Sequence, residues 1–181
     1  MHRLFVAVDL PDQVRRMIGG LAADLPGARL VPADQIHLTL RFIGEVDGAT
    51  FSRVRNVLEK VPGCAFTLSL RGLGHFPPGR HPRVLWVGID ECVHLTMLQK
   101  SVESALSLTD LPPEDRKFSP HITLARLKET PPGAVERLES RHRELSLPPF
   151  PVKEFHLYSS ILSEKGAVHR REATYPLSVP D

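Results

Sequence analysis

One order of strands and helices is predicted twice along this chain of 181 residues, and the repeat limits the possible folds more than any other feature. In the first half, a buried strand at 4–9 precedes a helix opened by Pro11, an alternating strand at 36–42, a helix from about Thr50 and a strand at 66–70. The second half repeats this order with strands at 84–90, 121–124 and 152–158. Strands and helices in this order predict an α+β protein.

The repeat also predicts how the chain is organised. We expect two lobes related by a pseudo-two-fold axis, each a mainly antiparallel sheet with its helices outside, and both sheets facing a central cleft. Residues 1–181 are expected to form a single domain in which two halves, approximately 1–75 and 82–181, are intertwined. A last strand at 168–177 is expected to pair with its predecessor through a turn at Glu164-Lys165-Gly166.

Charge and cysteine content exclude several classes of partner. The 23 Lys and Arg residues and 21 Asp and Glu residues leave a net charge of +2, which is too small for non-specific attraction along nucleic-acid backbones but permits a small or end-bound anion. Cys64 and Cys92 lack the spacing of metal ligands or of a disulfide framework.

No secretory signal begins the chain, and no apolar stretch approaches the roughly 20 residues of a membrane span. We therefore expect a cytoplasmic protein without membrane contact, and no sequence feature indicates an obligate protein partner.

A histidine and a threonine share one face of each alternating strand. Residues i and i+2 of a strand point the same way, so His37 lies beside Thr39 and His121 beside Thr123, while the residues between them face the core. If the pseudo-two-fold axis sets these strands side by side, two imidazoles and two hydroxyls converge. Such a group can supply an acid, a base and two neutral donors for the oxygens of a phosphate.

The same four-residue pattern occurs a third time, at His94-Leu95-Thr96-Met97. This copy lies in the helix predicted to start near Asp90, where residues two apart are about 200° apart around the axis and cannot share a face. We exclude it as a catalytic site. For either strand alone, a structural histidine remains the alternative interpretation, whereas the matched pair at equivalent positions of the repeat favours catalysis.

Several segments resemble the two-histidine (2H) phosphoesterases. They are the two HxTx strands, RLFVAVDLP at 3–11, RVLWVG at 83–88 and FSPHITLAR at 118–126. Within that superfamily the chain is similar over almost its whole length to the prokaryotic RNA 2′,3′-cyclic phosphodiesterases, also called 2′-5′ RNA ligases. The resemblance implies a bilobal α+β fold whose HxTx motifs line the cleft. It also implies hydrolysis of a terminal 2′,3′-cyclic phosphate to a 2′-phosphate, without a metal or another cofactor.

The resemblance assigns a role to each residue of the two motifs. It makes His37 the proton donor and His121 the proton acceptor, and Thr39 and Thr123 the groups that bind the phosphoryl oxygens. The implied substrates are RNA 3′ ends or nucleotides that carry a 2′,3′-cyclic phosphate, with reversible 2′-5′ joining as a further activity. A non-catalytic module that binds RNA 3′ ends is the alternative.

Two residues further along the motifs raise a question of strand geometry. The resemblance makes Arg126 a phosphate contact, yet strict alternation puts it opposite His121, so a bulge or strong twist is needed. Phe42 holds the equivalent position in the first motif, where a core aromatic and a base-stacking group are both open interpretations. Arg41 shares the face of His37, so an RNA contact is open to it, but we expect it at a solvated strand end. His169 belongs to no pattern that predicts a role.

Overall fold

The computed structural model describes residues 1–164 and 166–180. In chain order its elements are β1 (His2–Asp9), α1 (Asp12–Gly19), β2 (Ala28–Leu30), a 3₁₀ turn (Ala33–Gln35), β3 (His37–Val46), α2 (Gly48–Leu58), β4 (Phe66–Leu68), β5 (Leu70–Phe76), β6 (Val84–Ile89), α3 (Val93–Leu106), β7 (His121–Leu127), α4 (Pro132–Arg141), β8 (Phe150–Val152), β9 (Glu154–Ser163) and β10 (Gly166–Pro176). The predicted strands and helices occur in the predicted order, but β2 and β5 are additional strands and the strand predicted at 152–158 is divided between β8 and β9.

Two four-stranded sheets form the body of the protein. The sheet that contains His37 has the strand order β10-β9-β1-β3, and the sheet that contains His121 has the order β2-β7-β6-β5. Neighbouring strands in both sheets pair antiparallel. The two HxTx strands, β3 and β7, are in contact with each other across the sheets. The predicted α+β class with mainly antiparallel sheets is thus confirmed.

Each half of the repeat contributes a strand to the sheet of the other half. Strand β9 comes from the second half but pairs with β1, and β5 comes from the first half but pairs with β6. Helix α3, also from the second half, packs against α2 and β3. The sheets are therefore composite, and the limits of the halves at 1–75 and 82–181 stay a prediction.

The helices bury one apolar stripe each, and α3 differs from the sequence prediction in its register. The helical spacing of Val93, Met97, Val102 and Leu106 predicts these four residues as the core face of α3, yet Val93 and Met97 are 64% and 59% exposed. The helix instead buries Leu95 and Leu98 together with Val102 and Leu106, and only the last two belong to the predicted stripe. Both stripes have helical spacing, and the packing against α2 and β3 selects one of them. None of the helices in the described part of the chain is long and apolar enough to cross a membrane.

The last two long strands form the predicted hairpin. Strands β9 and β10 pair antiparallel, with Ser163 opposite Gly166, while Lys165 of the predicted turn lies outside the described residues. Gly166 has φ +119°, a region that side chains disfavour. A Cβ atom there would lie only 3.1 Å from a guanidinium nitrogen of Arg29. The positive φ is therefore what requires glycine here, because the end of the flexible Arg29 side chain can move aside.

Candidate active site

A cleft of about 890 Å³ opens between the two sheets. Residues of β1, β2, β3, β7 and the β9–β10 hairpin form its walls. All the site residues named from the sequence line it: His37, Thr39, Phe42, His121, Thr123 and Arg126. The fold therefore brings the two HxTx motifs together in one cavity.

The two histidines are held in the same way. Nδ1 of His37 lies 2.7 Å from the backbone oxygen of Gln35, and Nδ1 of His121 lies 2.7 Å from that of Ser119. Because a carbonyl oxygen only accepts, Nδ1 carries the hydrogen in both rings, and Nε2 is left as the reactive nitrogen. The hydroxyl of Thr39 lies 3.0 Å from Nε2 of His37 and donates to it when the ring is neutral. Each ring thus has a fixed tautomer that suits proton transfer.

A β-bulge follows the threonine in both motifs and reverses the alternation there. In β3, Ala7 pairs with Thr39 and Val6 with Arg41, so Leu40 is the extra residue. In β7, Trp86 pairs with Thr123 and Leu85 with Ala125, so the extra residue falls at the equivalent point. The bulge is the irregularity that a cleft-facing Arg126 requires. It also turns Phe42, which strict alternation places in the core, to the cleft, where it is 44% exposed.

Arg41 is buried, so its expected place at a solvated strand end is wrong. The bulge turns its side chain inward, where it is 8% exposed. Its guanidinium lies 2.8 Å from a carboxylate oxygen of Glu114 and 3.3 Å from one of Glu103. It also donates to the backbone oxygen of Pro112 at 2.7 Å. Arg41 therefore fixes the loop before β7 against β3 and does not reach a ligand in the cleft.

Aromatic rings surround His37. The ring of Phe5 stacks on it at 4.9 Å between centroids, and the ring of Tyr158 stacks on Phe5 at 5.3 Å. The ring of His169 meets His37 edge to face at 5.2 Å. Burial among these groups lowers the pKa of His37 to about 4. His37 is therefore neutral at pH 7.

A charged group lies behind this aromatic cluster. The hydroxyl of Tyr158 donates to one carboxylate oxygen of Asp9 at 2.6 Å, and Arg171 pairs with the other. Burial and the Asp9 carboxylate raise the pKa of Tyr158 to about 12. Asp9 is also the strand partner of His37. The network therefore anchors the tyrosine ring beside the histidine and places a negative charge nearby.

His121 has different neighbours. Phe76 meets it edge to face at 4.9 Å, and the Trp86 ring lies 6.4 Å away. Both rings belong to the sheet of His121, on β5 and β6. The surroundings of the two histidines are therefore similar in being aromatic and different in composition.

Four other residues that line the cleft received no functional role from the sequence. They are Arg3, Phe5, Arg29 and His169. Alternation along β1 puts Arg3 and Phe5 on one face and is the sequence signal that could identify them. No local pattern could identify His169, whose place beside His37 depends on the pairing of β10, β9 and β1.

The positive charges of the cleft have few counter-charges. Among the described residues, none of the guanidinium groups of Arg3, Arg29 and Arg126 pairs with a carboxylate. The Arg3 guanidinium lies over the ring of Phe42, 5.2 Å from its centroid. Residues 1–164 and 166–180 contain no group of three or more His, Cys, Asp or Glu side chains that could hold a metal ion. The cleft is suited to an anion that has an aromatic or apolar part.

Comparison with known proteins agrees with this geometry. A family model described as LigT like phosphoesterase matches residues 5–86 and 87–169. An RNA 2′,3′-cyclic phosphodiesterase of Archaeoglobus fulgidus is 33% identical over 171 residues, which cover 93% of this chain and 96% of that protein.

Solved structures show the same similarity. A Thermus thermophilus crystal structure superposes with a TM-score of 0.83 at 29% identity, covering 99% of this chain and 100% of that one. The E. coli LigT structure complexed with 3′-AMP has a TM-score of 0.77 at 27% identity, covering 97% of this chain and 98% of that one. The family model matches most of this chain, and the Archaeoglobus relative is 33% identical to it over nearly the full length of both proteins. The chain therefore belongs to the LigT-like phosphoesterases, the 2H family that its motifs resemble.

Proposed function

We propose that this protein hydrolyses 2′,3′-cyclic phosphodiesters at RNA 3′ ends or on nucleotides, and releases a 2′-phosphomonoester. The observation that carries the proposal is the convergence of His37, Thr39, His121 and Thr123 in one cleft, with Nδ1 of each imidazole held by a backbone oxygen. Curated relatives that bear the name RNA 2′,3′-cyclic phosphodiesterase support the same reaction.

In this mechanism the two histidines exchange protons with opposite ends of the reacting group. Nε2 of His121 accepts a proton from water, whose oxygen attacks phosphorus, and Nε2 of His37 gives its proton to the leaving 3′ oxygen. The P–O3′ bond breaks, so the phosphate remains on the 2′ oxygen. Joining to form a 2′-5′ bond would use the same residues in the same roles, with a 5′ hydroxyl in the place of water: Nε2 of His121 accepts the hydroxyl proton, the 5′ oxygen attacks phosphorus, and the 3′ oxygen leaves with the proton of His37.

The donor role of His37 requires a change of its protonation when substrate binds. Its pKa of about 4 leaves it neutral at pH 7. An anionic phosphodiester next to the ring favours the imidazolium form and raises this pKa. A histidine NMR titration should therefore give a higher pKa for His37 with 2′-AMP bound than without it. An unchanged value would contradict the donor role.

The phosphate oxygens would be bound by neutral and charged donors together. The hydroxyls of Thr39 and Thr123 lie on the same strand faces as the histidines, and Arg126 enters the cleft one bulge later. Hydroxyls and a guanidinium together stabilise the charge that develops on the phosphoryl oxygens. No step of this scheme uses a metal ion, so activity should survive excess EDTA.

We propose RNA ends rather than free nucleotides as the better substrate. Arg3, Arg29 and Phe42 add two cations and an exposed ring to the cleft, a combination that binds the backbone and bases of single strands. Replacing Arg3 or Arg29 by Ala should slow hydrolysis of a short RNA more than hydrolysis of 2′,3′-cyclic AMP. It should also reduce the salt dependence of RNA hydrolysis.

Cys64 and Cys92 are free cysteines, which is compatible with reaction in the reducing cytoplasm.

Phosphorus NMR on 2′,3′-cyclic AMP, and on a short RNA with a cyclic end, tests the proposal in the presence of EDTA. We expect turnover with the 2′-phosphate as the main product. A predominant 3′-phosphate would overturn the orientation of the substrate between His37 and His121. Tight binding without turnover would instead indicate a module that only binds RNA 3′ ends. Activity that EDTA abolishes and one divalent metal restores would contradict the metal-independent scheme.

A further inference from the structure

A third imidazole faces the cleft, and the mechanism above does not use it. His169 lies on β10, half-buried, with its ring 5.2 Å from that of His37 and 4.8 Å from that of Phe5. The described part of the chain offers no hydrogen-bond partner to either ring nitrogen of His169. The ring of His169 thus brings an unpaired donor and an unpaired acceptor next to the ring of His37.

His169 also breaks the symmetry of the cleft. Three adjacent antiparallel strands of one sheet, β9-β1-β3, correspond to β5-β6-β7 of the other. In each set the HxTx strand, β3 or β7, stands at one end. Beyond β9 the first sheet adds β10, whereas the described sheet of His121 ends at β5. The imidazole of His169 therefore has no equivalent on the His121 side.

We propose that His169 is a third substrate-contacting histidine, which hydrogen-bonds the bound cyclic phosphodiester on the His37 side and thereby helps to select which ester oxygen is expelled. This inference rests on the proposed function. The two ester oxygens of a 2′,3′-cyclic phosphate are chemically similar, so a site with two equivalent histidines needs an asymmetric contact to distinguish them. His169 supplies one directly beside the proton donor.

The state of the ring fits a neutral contact. Burial lowers the pKa of His169, while the Asp34 carboxylate opposes this effect. A neutral imidazole offers one N–H donor and one acceptor nitrogen. It can donate to a phosphoryl or ester oxygen, and it can accept from the 3′ hydroxyl that the reaction releases. The neutral ring leaves His37 free to take up a proton, whereas a protonated His169 lowers the pKa of His37.

Three variants separate hydrogen bonding from packing. His169→Phe keeps a ring against Phe5 and His37 but removes both nitrogens, whereas His169→Gln and His169→Asn keep polar atoms without the ring. We expect His169→Phe to lower kcat/KM for 2′,3′-cyclic AMP about tenfold, the effect of one lost hydrogen bond, and to increase the fraction of 3′-phosphate. At least one amide variant should stay within threefold of the parent. The matched control is His94→Phe, at an exposed position of α3, which should leave both kcat/KM and the product ratio unchanged.

Two results would overturn the inference. One is a folded His169→Phe protein within threefold of the parent and with the same product ratio, and the other is amide variants as impaired as His169→Phe. If the variants do not fold, the wild type still gives an answer, because titration with 2′-AMP should shift the ring resonances of His169 together with those of His37. Unshifted His169 resonances would overturn the contact. A wild type that binds 2′-AMP but does not hydrolyse cyclic substrates would contradict the proposed function and leave this contact testable.

Discussion

The strand that carries His37 and the strand that carries His121 have the same backbone geometry and different surroundings. In both, a carbonyl oxygen two residues earlier holds Nδ1, and a bulge follows the threonine. The residue turned into the cleft by that bulge is Phe42 in one strand and Arg126 in the other. The repeat thus gives the two histidines the same backbone geometry, whereas their neighbours differ.

Three differences separate the two sides. His37 contacts a third imidazole, which the described surroundings of His121 lack. The residue before the cleft-facing position is the buried Arg41 in β3 and a small alanine in β7. Phe42 holds in β3 the position that Arg126 holds in β7, so an aromatic ring corresponds to a guanidinium. The following predictions test these points, from the largest expected effect to the smallest.

Removal of either reactive imidazole should have the largest effect. We expect His37→Ala and His121→Ala each to lower kcat by about 10² to 10⁴, the range for a positioned proton transfer. Steady-state hydrolysis of 2′,3′-cyclic AMP by folded variants measures this. His94→Ala, the copy of the motif on α3, should stay within a few-fold of the parent. An equal loss at His94 would mean that the two strands are not the catalytic pair.

Arg41 should matter for stability and not for chemistry. Arg41→Met leaves the carboxylates of Glu103 and Glu114 without their buried cation, so the free energy of unfolding should fall by about 3 kcal/mol. Urea unfolding measures it. The control is Arg53→Met, which removes an exposed ion pair with Asp110 and should cost less than about 1 kcal/mol. Equal losses for the two variants would contradict the structural role of Arg41.

The lowered pKa of His37 should make the protein sensitive to acid. Because this pKa is about 4 in the folded state and about 6.5 in the unfolded chain, the unfolded state binds more protons between these values. The stabilisation is complete above pH 6.5 and decreases as the pH falls, by about 2 kcal/mol between pH 7.5 and 5 for this residue. His37→Gln should show a correspondingly shallower loss in urea unfolding. Identical pH slopes would contradict the shift.

His156 and His169 act in the same direction as His37, because burial lowers the pKa of each. The His37→Gln protein should therefore keep part of the acid sensitivity. If the substitution removes only the titration of His37, the pH dependence due to His156 and His169 remains. A general change in the fold would remove that part as well.

The two cleft-facing residues after the bulges should differ in what they recognise. Arg126→Ala should lower kcat/KM about thirtyfold for both 2′,3′-cyclic AMP and short RNA, since it removes a charge-assisted contact to the phosphate. Phe42→Ala should lower it only about fivefold, and mainly for RNA, because stacking on a ring depends on the bases. Parallel kinetics on both substrates measure the contrast. The reverse order of substrate dependence would contradict these assignments.

Much of the cleft could be predicted from local sequence pattern. Alternation along two strands placed His37 with Thr39 and His121 with Thr123, and apolar spacing marked the core positions between them. The helical copy at His94 could be excluded because a helix and a strand distribute residues two apart differently. These conclusions depend on backbone geometry over a few residues, which the order of the side chains determines.

The tertiary structure decided what local pattern could not. The bulges that expose Phe42 and bury Arg41 depend on pairing with β1, and the stripe that α3 buries depends on its packing against α2 and β3. The exchange of β5 and β9 between the sheets, and the arrival of His169 beside His37, join residues far apart in the chain. Periodicity in a sequence reports which face of an element is apolar, whereas register and partner choice follow from contacts between elements, so these features became visible only in the folded chain.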